Sequence, residues 1–170
     1  MSVAIVTDTA CDLSPDRAAA AGITLVPLLV RFGDVEQKAV VELSIPDFYA
    51  KLLAPGSPFP STAACSPGDF VEAFRARLEA GASGVVCLTV GGRLSATHKA
   101  ALVARDTLGE PSIHVVDTET ATLCQGLLAP SGWPRAMAPP LTLTRSQSKQ
   151  SSRPSASTWA ANASLISTRS

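Results

Sequence analysis

The chain has 170 residues, 46% of them apolar and 16% charged, enough to bury one core and to make a single domain the default. Its 14 basic and 14 acidic side chains cancel, so bulk charge gives no case for a nucleic-acid or anionic-membrane partner. No apolar run reaches the roughly 20 residues of a membrane-spanning helix, which argues against an integral membrane protein.

The N-terminus MSVAIVTDTACDLS has neither the basic n-region nor the cleavage site of a signal peptide, so a cytosolic protein is expected. Residues 2–7 form an apolar run of strand length. Ser14, Pro15 and Asp16 then supply an N-cap, a proline at the first helical position and an early acid before the alanine run Ala18 to Ala21, which Gly22 closes. ITLVPLLVRF, residues 23–32, is predicted as one strand, with Pro27 at an edge or a bulge. Ser44, Pro46 and Asp47 open a second helix with Phe48, Leu52 and Leu53 on one face. A proline-rich loop leads to a third, capped by Ser66 with Pro67 and Asp69 behind it, whose Phe70, Val71, Phe74 and Leu78 recur at helical spacing. Residues 84–90 are a buried strand, 95–108 a helix opened by Ser95, and 112–116 a further strand. This alternation predicts an α/β fold, a doubly wound, mainly parallel sheet with helices on both faces.

The charge balance conceals a split. Residues 1–128 hold all 14 acids and 9 basic residues, a net of −5, whereas residues 129–170 hold 5 basic residues and no acid. The latter stretch also has 10 serines and 5 prolines without apolar periodicity, the composition of a low-complexity, disordered extension.

Parallel sheets bind ligands beyond the C-terminal ends of their strands, where three polar loops are expected: TDTACD, GGRLS and DTETAT. In the second, Gly91 and Gly92 admit a ligand close to the backbone, and Ser95 adds a hydroxyl among helix N-terminal N–H groups, an environment that favours an anion. Arg93 is a candidate cation for the same anion, or a solvated side chain. Ser61 and Thr62 supply hydroxyls from another loop, provided the two loops meet; each serine or threonine can equally be an ordinary turn or cap residue. Asp8 and Asp12 are paired acids suited to a metal or to nucleophile activation, or else to capping. No G-x-G-x-x-G, P-loop or G-x-S-x-G occurs, which disfavours nucleotide cradling and serine hydrolysis. Cys11, Cys65, Cys87 and Cys124 stand far apart with only two histidines, against a zinc site and, in a reducing compartment, against a disulfide.

The set TDTACDL (7–13), VPLLVRF (26–32), FPSTAACSPGDF (59–70), LTVGGRLSATHKAA (88–101) and VVDTETATLCQGLL (115–128), in this order and spacing, resembles the DegV family of bacterial fatty-acid-binding proteins. The resemblance implies a carrier and not an enzyme, with no cofactor. It would hold a long-chain fatty acid by its carboxylate and present it to a separate fatty acid kinase. By position, Thr62 and Ser95 match the two carboxylate-binding hydroxyls, with Ser61, Gly91, Gly92 and Arg93 in support. Ala63, Ala64 and Ala96 depart from the family pattern, which implies altered affinity. The resemblance ends near Leu128, so residues 1–128 are expected to be the N-terminal lipid-binding domain, and the sequence from about Ala129 is expected to be out of frame and the lipid-binding function impaired. Two alternatives stay open: a metal-dependent small-molecule or phosphoryl-transfer enzyme using Asp8 and Asp12, and a non-functional gene remnant.

Overall fold

Strand β1 (Val3–Asp8) alternates its side chains between two cores. Ala4 and Val6 face one cluster, containing Phe70, Phe74, Val85 and Cys87; Ile5 faces another, containing Ala18, Ile23 and Leu88. This is the pattern of a strand buried on both sides. The computed structural model describes residues 2–129; the expected disordered extension lies outside the described residues, apart from Ala129.

Around β1 a four-stranded parallel sheet forms in the order β2-β1-β6-β7, from β2 (Ile23–Val26), β6 (Gly84–Thr89) and β7 (Ile113–Asp117). Helix α1 (Pro15–Ala20) covers one face through Ala18. Helices α3 (Pro67–Glu79) and α4 (Thr97–Leu108) cover the other with Phe70, Phe74, Ala101 and Ala104, all fully buried. The doubly wound α/β architecture is therefore present. Ser14 and Ser66 accept the N–H groups of Arg17 and Asp69, three residues on, as capping side chains do.

Residues 23–32 are not one strand. Pro27 has no N–H to continue a ladder, and there the chain leaves the parallel sheet. Leu28 N–H donates instead to Thr9 Oγ1 at 3.0 Å, and β3 (Leu29–Phe32) starts a second, antiparallel sheet of order β4-β3-β5. Its partners β4 (Val35–Lys38) and β5 (Ser61–Ala63) carry no sequence signal: the first is mostly polar, and the second sits among prolines. Helix α2 (Ile45–Leu53) packs on this sheet through Phe48 and Leu52 against Val30 and Phe32, the Phe32 and Phe48 rings tilted with centroids 5.7 Å apart. A Lys38–Asp69 ion pair of 2.7 Å ties β4 to α3. Helix α5 (Thr122–Leu128) ends the described fold and rests Gln125 and Gly126 on the main sheet and the turn after β1.

Candidate functional site

The strand order puts β1 between β2, to which the chain passes next, and β6, reached later on its other side. The gap between the C-terminal ends of β1 and β6 is thus the topological switch point, where doubly wound sheets accept ligands. All three polar loops converge there. Asp8 Oδ2 accepts the Val90 N–H at 2.8 Å, joining the first loop to the second. Gly91 N–H donates to the Thr120 carbonyl at 2.7 Å and Gly92 N–H to the Asp117 carboxylate at 3.0 Å, joining the second to the third. Thr118 N–H and Oγ1 both donate to the Thr89 carbonyl.

The glycines therefore face protein. A Cβ on Gly91 would lie 3.2 Å from the Glu119 carbonyl carbon, and one on Gly92 would lie 2.8 Å from Asp117 Oδ2. Close approach is needed here, and their N–H groups are committed to Thr120 and Asp117 rather than turned to an anion. What this turn offers a ligand is hydroxyl.

Ser95 is not the residue that opens the helix. Helix α4 starts at Thr97, with Ala96 at the cap position and no capping side-chain bond. The hydroxyl of Ser95 accepts the Thr97 N–H at 3.2 Å and lies 2.9 Å from Thr97 Oγ1. Leu94 and Ser95 both donate their N–H groups to the Gly91 carbonyl, so GGRL folds into a tight turn that places Ser95 two residues before the first helical residue, Thr97. Ser95 is half-buried and Thr97 fully buried, while Arg93 is exposed.

Thr62 lies on edge strand β5, directly opposite Val30 of β3, and Ser61 lies opposite Arg31. Opposed residues of an antiparallel pair share a face and successive residues alternate. Thr62 thus shares the Val30 face that α2 packs on, and Ser61 shares the other face with the exposed Arg31–Glu36 ion pair. Ser61 and Thr62 are turned apart, so they do not act as a pair. On the Val30 face lies a groove of about 240 Å³, walled by Val30, Leu43, Ile45, Phe48 and Tyr49 with Asp12 at its margin. Val40, also in its wall, has φ +59°, a left-handed conformation costly for a β-branched residue.

Beyond β5 the chain reaches Cys65, buried beneath the start of α4. Burial pushes its thiol up to about 12, the Asp8 charge adding to this and the Thr97 hydroxyl opposing it. Thr97, which bonds Ser95, thus also lies against the segment that follows Thr62. The segment after β5 therefore meets the start of α4 at Cys65 and Thr97. Cys11 and Cys87 are likewise raised by burial, and all four cysteines are free thiols.

Of the paired acids, Asp8 is buried with both oxygens occupied, Oδ1 by the Ala10 N–H at 2.9 Å and Oδ2 by Val90. Burial raises its carboxyl, and the N–H groups of Val90 and Ala10 with the Gln125 side chain only partly offset this. Asp12 is exposed, with φ 56°. Among the described residues no group of three or more His, Cys, Asp or Glu is arranged to hold a metal ion. Thr97, Asp117 and Gln125, which join the network around these loops, carry no motif that marks them in the sequence. Thr97 hides behind the Ser95 it orients, and the other two contribute through contacts formed only in the folded chain.

The family model described as an uncharacterised protein of the DegV family matches residues 2–132. A DegV domain-containing protein of Deinococcus radiodurans is 41% identical over 127 residues, covering 75% of this chain and 44% of that protein. Among solved structures, a DegV family protein from Thermus thermophilus described by its fatty acid binding superposes with a TM-score of 0.68 at 32% identity, over 76% of this chain and 45% of the other. A stearic acid-binding protein from Eubacterium ventriosum gives 0.65 at 30% identity, over 73% and 44%. The chain spans less than half the length of these relatives.

Proposed function

The chain belongs to the DegV family, and from that premise we propose that residues 1–128 bind a long-chain fatty acid by its carboxylate, with Thr62 and Ser95 as the hydroxyl donors. The observation that carries this reading is the Ser95–Thr97 pair at the switch point. Ser95 Oγ accepts the Thr97 N–H and lies 2.9 Å from Thr97 Oγ1, a pair in which either hydroxyl can donate; in this reading Thr97 donates, and the Ser95 hydrogen is left for an incoming acceptor. Two hydroxyls, one on half-buried Ser95 and one on exposed Thr62, hold a carboxylate by charge-assisted hydrogen bonds without a lysine or arginine in contact. Arg93, exposed on the same turn, adds long-range attraction, and Gly91 and Gly92 support the site by letting the turn pack against residues 117–120.

The groove on the Val30 face is the seat for the acyl chain nearest the carboxylate. Thr62 and Val30 share one sheet face, and each CH₂ sheltered there contributes about 0.8 kcal/mol. The chemistry is binding and presentation: the carboxylate stays at the crevice mouth, where a separate ATP-dependent fatty acid kinase reaches it. No observation favours the reading of Asp8 and Asp12 as a metal or phosphoryl-transfer centre, since both oxygens of Asp8 accept backbone N–H groups.

Stearate titration of wild type, Thr62→Ala and Ser95→Ala tests the assignment. Each substitution is expected to weaken binding about tenfold, the equivalent of one charge-assisted hydrogen bond. Unchanged affinity in both variants would place the carboxylate elsewhere.

A further inference from the structure

We propose that Asp8 is the positioning residue of the carboxylate site: its buried side chain joins the turn after β1 to the turn that carries Ser95, and so sets where that hydroxyl stands. This rests on the carboxylate reading given above.

A residue that merely caps Thr9–Cys11 needs one acceptor oxygen, and Oδ1 already serves Ala10. The second oxygen reaches the N–H of Val90, 82 residues along the chain, in a fully buried bond. Val90 is the last residue before the glycine turn. The carbonyl of the next residue, Gly91, accepts the N–H of Ser95 at 3.2 Å. Asp8 therefore lies two hydrogen bonds from Ser95. The surrounding contacts keep it there: Thr7 Oγ1 donates to the Leu88 carbonyl at 2.8 Å, and the buried Gln125 donates Nε2 to Thr7 Oγ1 at 3.0 Å. Gly91 and Gly92 are held by Thr120 and Asp117 from the β7 side, so the turn is clamped at three successive N–H groups. Only the clamp from Asp8 crosses the switch point.

Asparagine at position 8 keeps the shape but offers one acceptor oxygen and turns an NH₂ group toward a second N–H donor. It therefore breaks one of the two links, and Asp8→Ala, which removes both acceptors, is read beside it. The experiment uses the full chain, with Asp8→Asn, Ser95→Ala and the double variant, and stearate as the probe. Amide hydrogen exchange of the unliganded proteins is read first. Asp8→Asn is expected to speed exchange at Val90 and Ser95 while Val6, Val85 and Cys87 stay as protected as in wild type. Stearate affinity is read second. Both single variants are expected to lose about tenfold, and the double variant no more than Ser95→Ala alone, because Asp8 acts through Ser95.

Wild-type protection at Val90 and Ser95 in both Asp8→Asn and Asp8→Ala, or additive losses in the double variant, would overturn the proposal. Should Asp8→Asn fail to fold, Asp8→Ser, whose hydroxyl accepts a single N–H, is put to the same two readings. A wild type that binds no stearate would overturn the carboxylate reading, while the exchange result still decides whether Asp8 sets the turn.

Discussion

Asp8 shows how one side chain can favour a site and oppose the fold. Its folded pKa is raised above 3.8 chiefly by burial, so as pH climbs from 3.8 toward the folded value the unfolded chain releases its proton first, and stability falls through that window. Asp69 and Asp117 work in the opposite sense. At Asp69 burial is outweighed by Lys38 and Ser66; at Asp117 the N–H of Glu119, then that of Gly92 and the charge of His98, prevail over burial. Their contributions are present above 3.8 and are lost as pH drops through their lowered values. Denaturation of wild type and Asp8→Asn across this range isolates the first effect: the stability of wild type relative to the variant is expected to decline as pH rises above 3.8, then level off. The groups facing Asp8 are the Cys11, Cys65 and Cys87 thiols and the Gln125 amide, and none of these thiols titrates there. A relative stability that rises with pH would mean the N–H bonds outweigh burial. At Thr97, replacement by Val keeps the shape and removes the hydroxyl that orients Ser95; stearate affinity is expected to fall severalfold with Ser95 intact. In the core, Phe74→Ala at a fully buried position is expected to cost about 3–5 kcal/mol in denaturant unfolding.

Single elements carry the difference between what can be read from the chain and what needs the fold. Helices α1, α2 and α3 were legible because Ser14, Ser44 and Ser66 each cap a proline-led first turn with an acid inside it, a strictly local device. The core strands were legible as apolar runs of strand length. Pro27 was visible, but whether it bulges a strand or ends it depends on where Leu28 finds an acceptor, and Thr9 Oγ1 is remote in sequence. Strand β5 exists only because β3 offers it an edge. This missed strand also turns Ser61 and Thr62 to opposite faces, so residue type alone could nominate Thr62 and Ser95 as candidates but could not give their orientation. Helix α5 makes an element-scale test. A Cβ at Gly126 would overlap the Cys11 carbonyl, so Gly126→Ala is expected to displace α5 and cost about 1–3 kcal/mol, with Gln125 drawn away from Thr7; an unaltered melting curve would show that α5 docks differently. The groove is tested by chain length. Tyr49→Ala, at an exposed wall position, is expected to weaken stearate more than octanoate, whereas equal losses would remove the groove from the acyl path.

On the scale of the molecule, several large apolar side chains of the described residues are open to solvent. Phe59 is 90% exposed, Leu53 79%, Leu94 69% and Leu127 61%, a surface that calls for a ligand or partner. In the proposed function the acyl chain of a bound fatty acid supplies part of that cover. The central claim, that this chain holds a fatty acid at the β1–β6 switch point, is tested most directly by purifying the full chain from a bacterial host without detergent and weighing it intact by native mass spectrometry. One fatty acid per chain, absent from a Thr62→Ala, Ser95→Ala double variant that remains folded, is the predicted result. A folded wild type that carries no lipid and takes up no added stearate would contradict it.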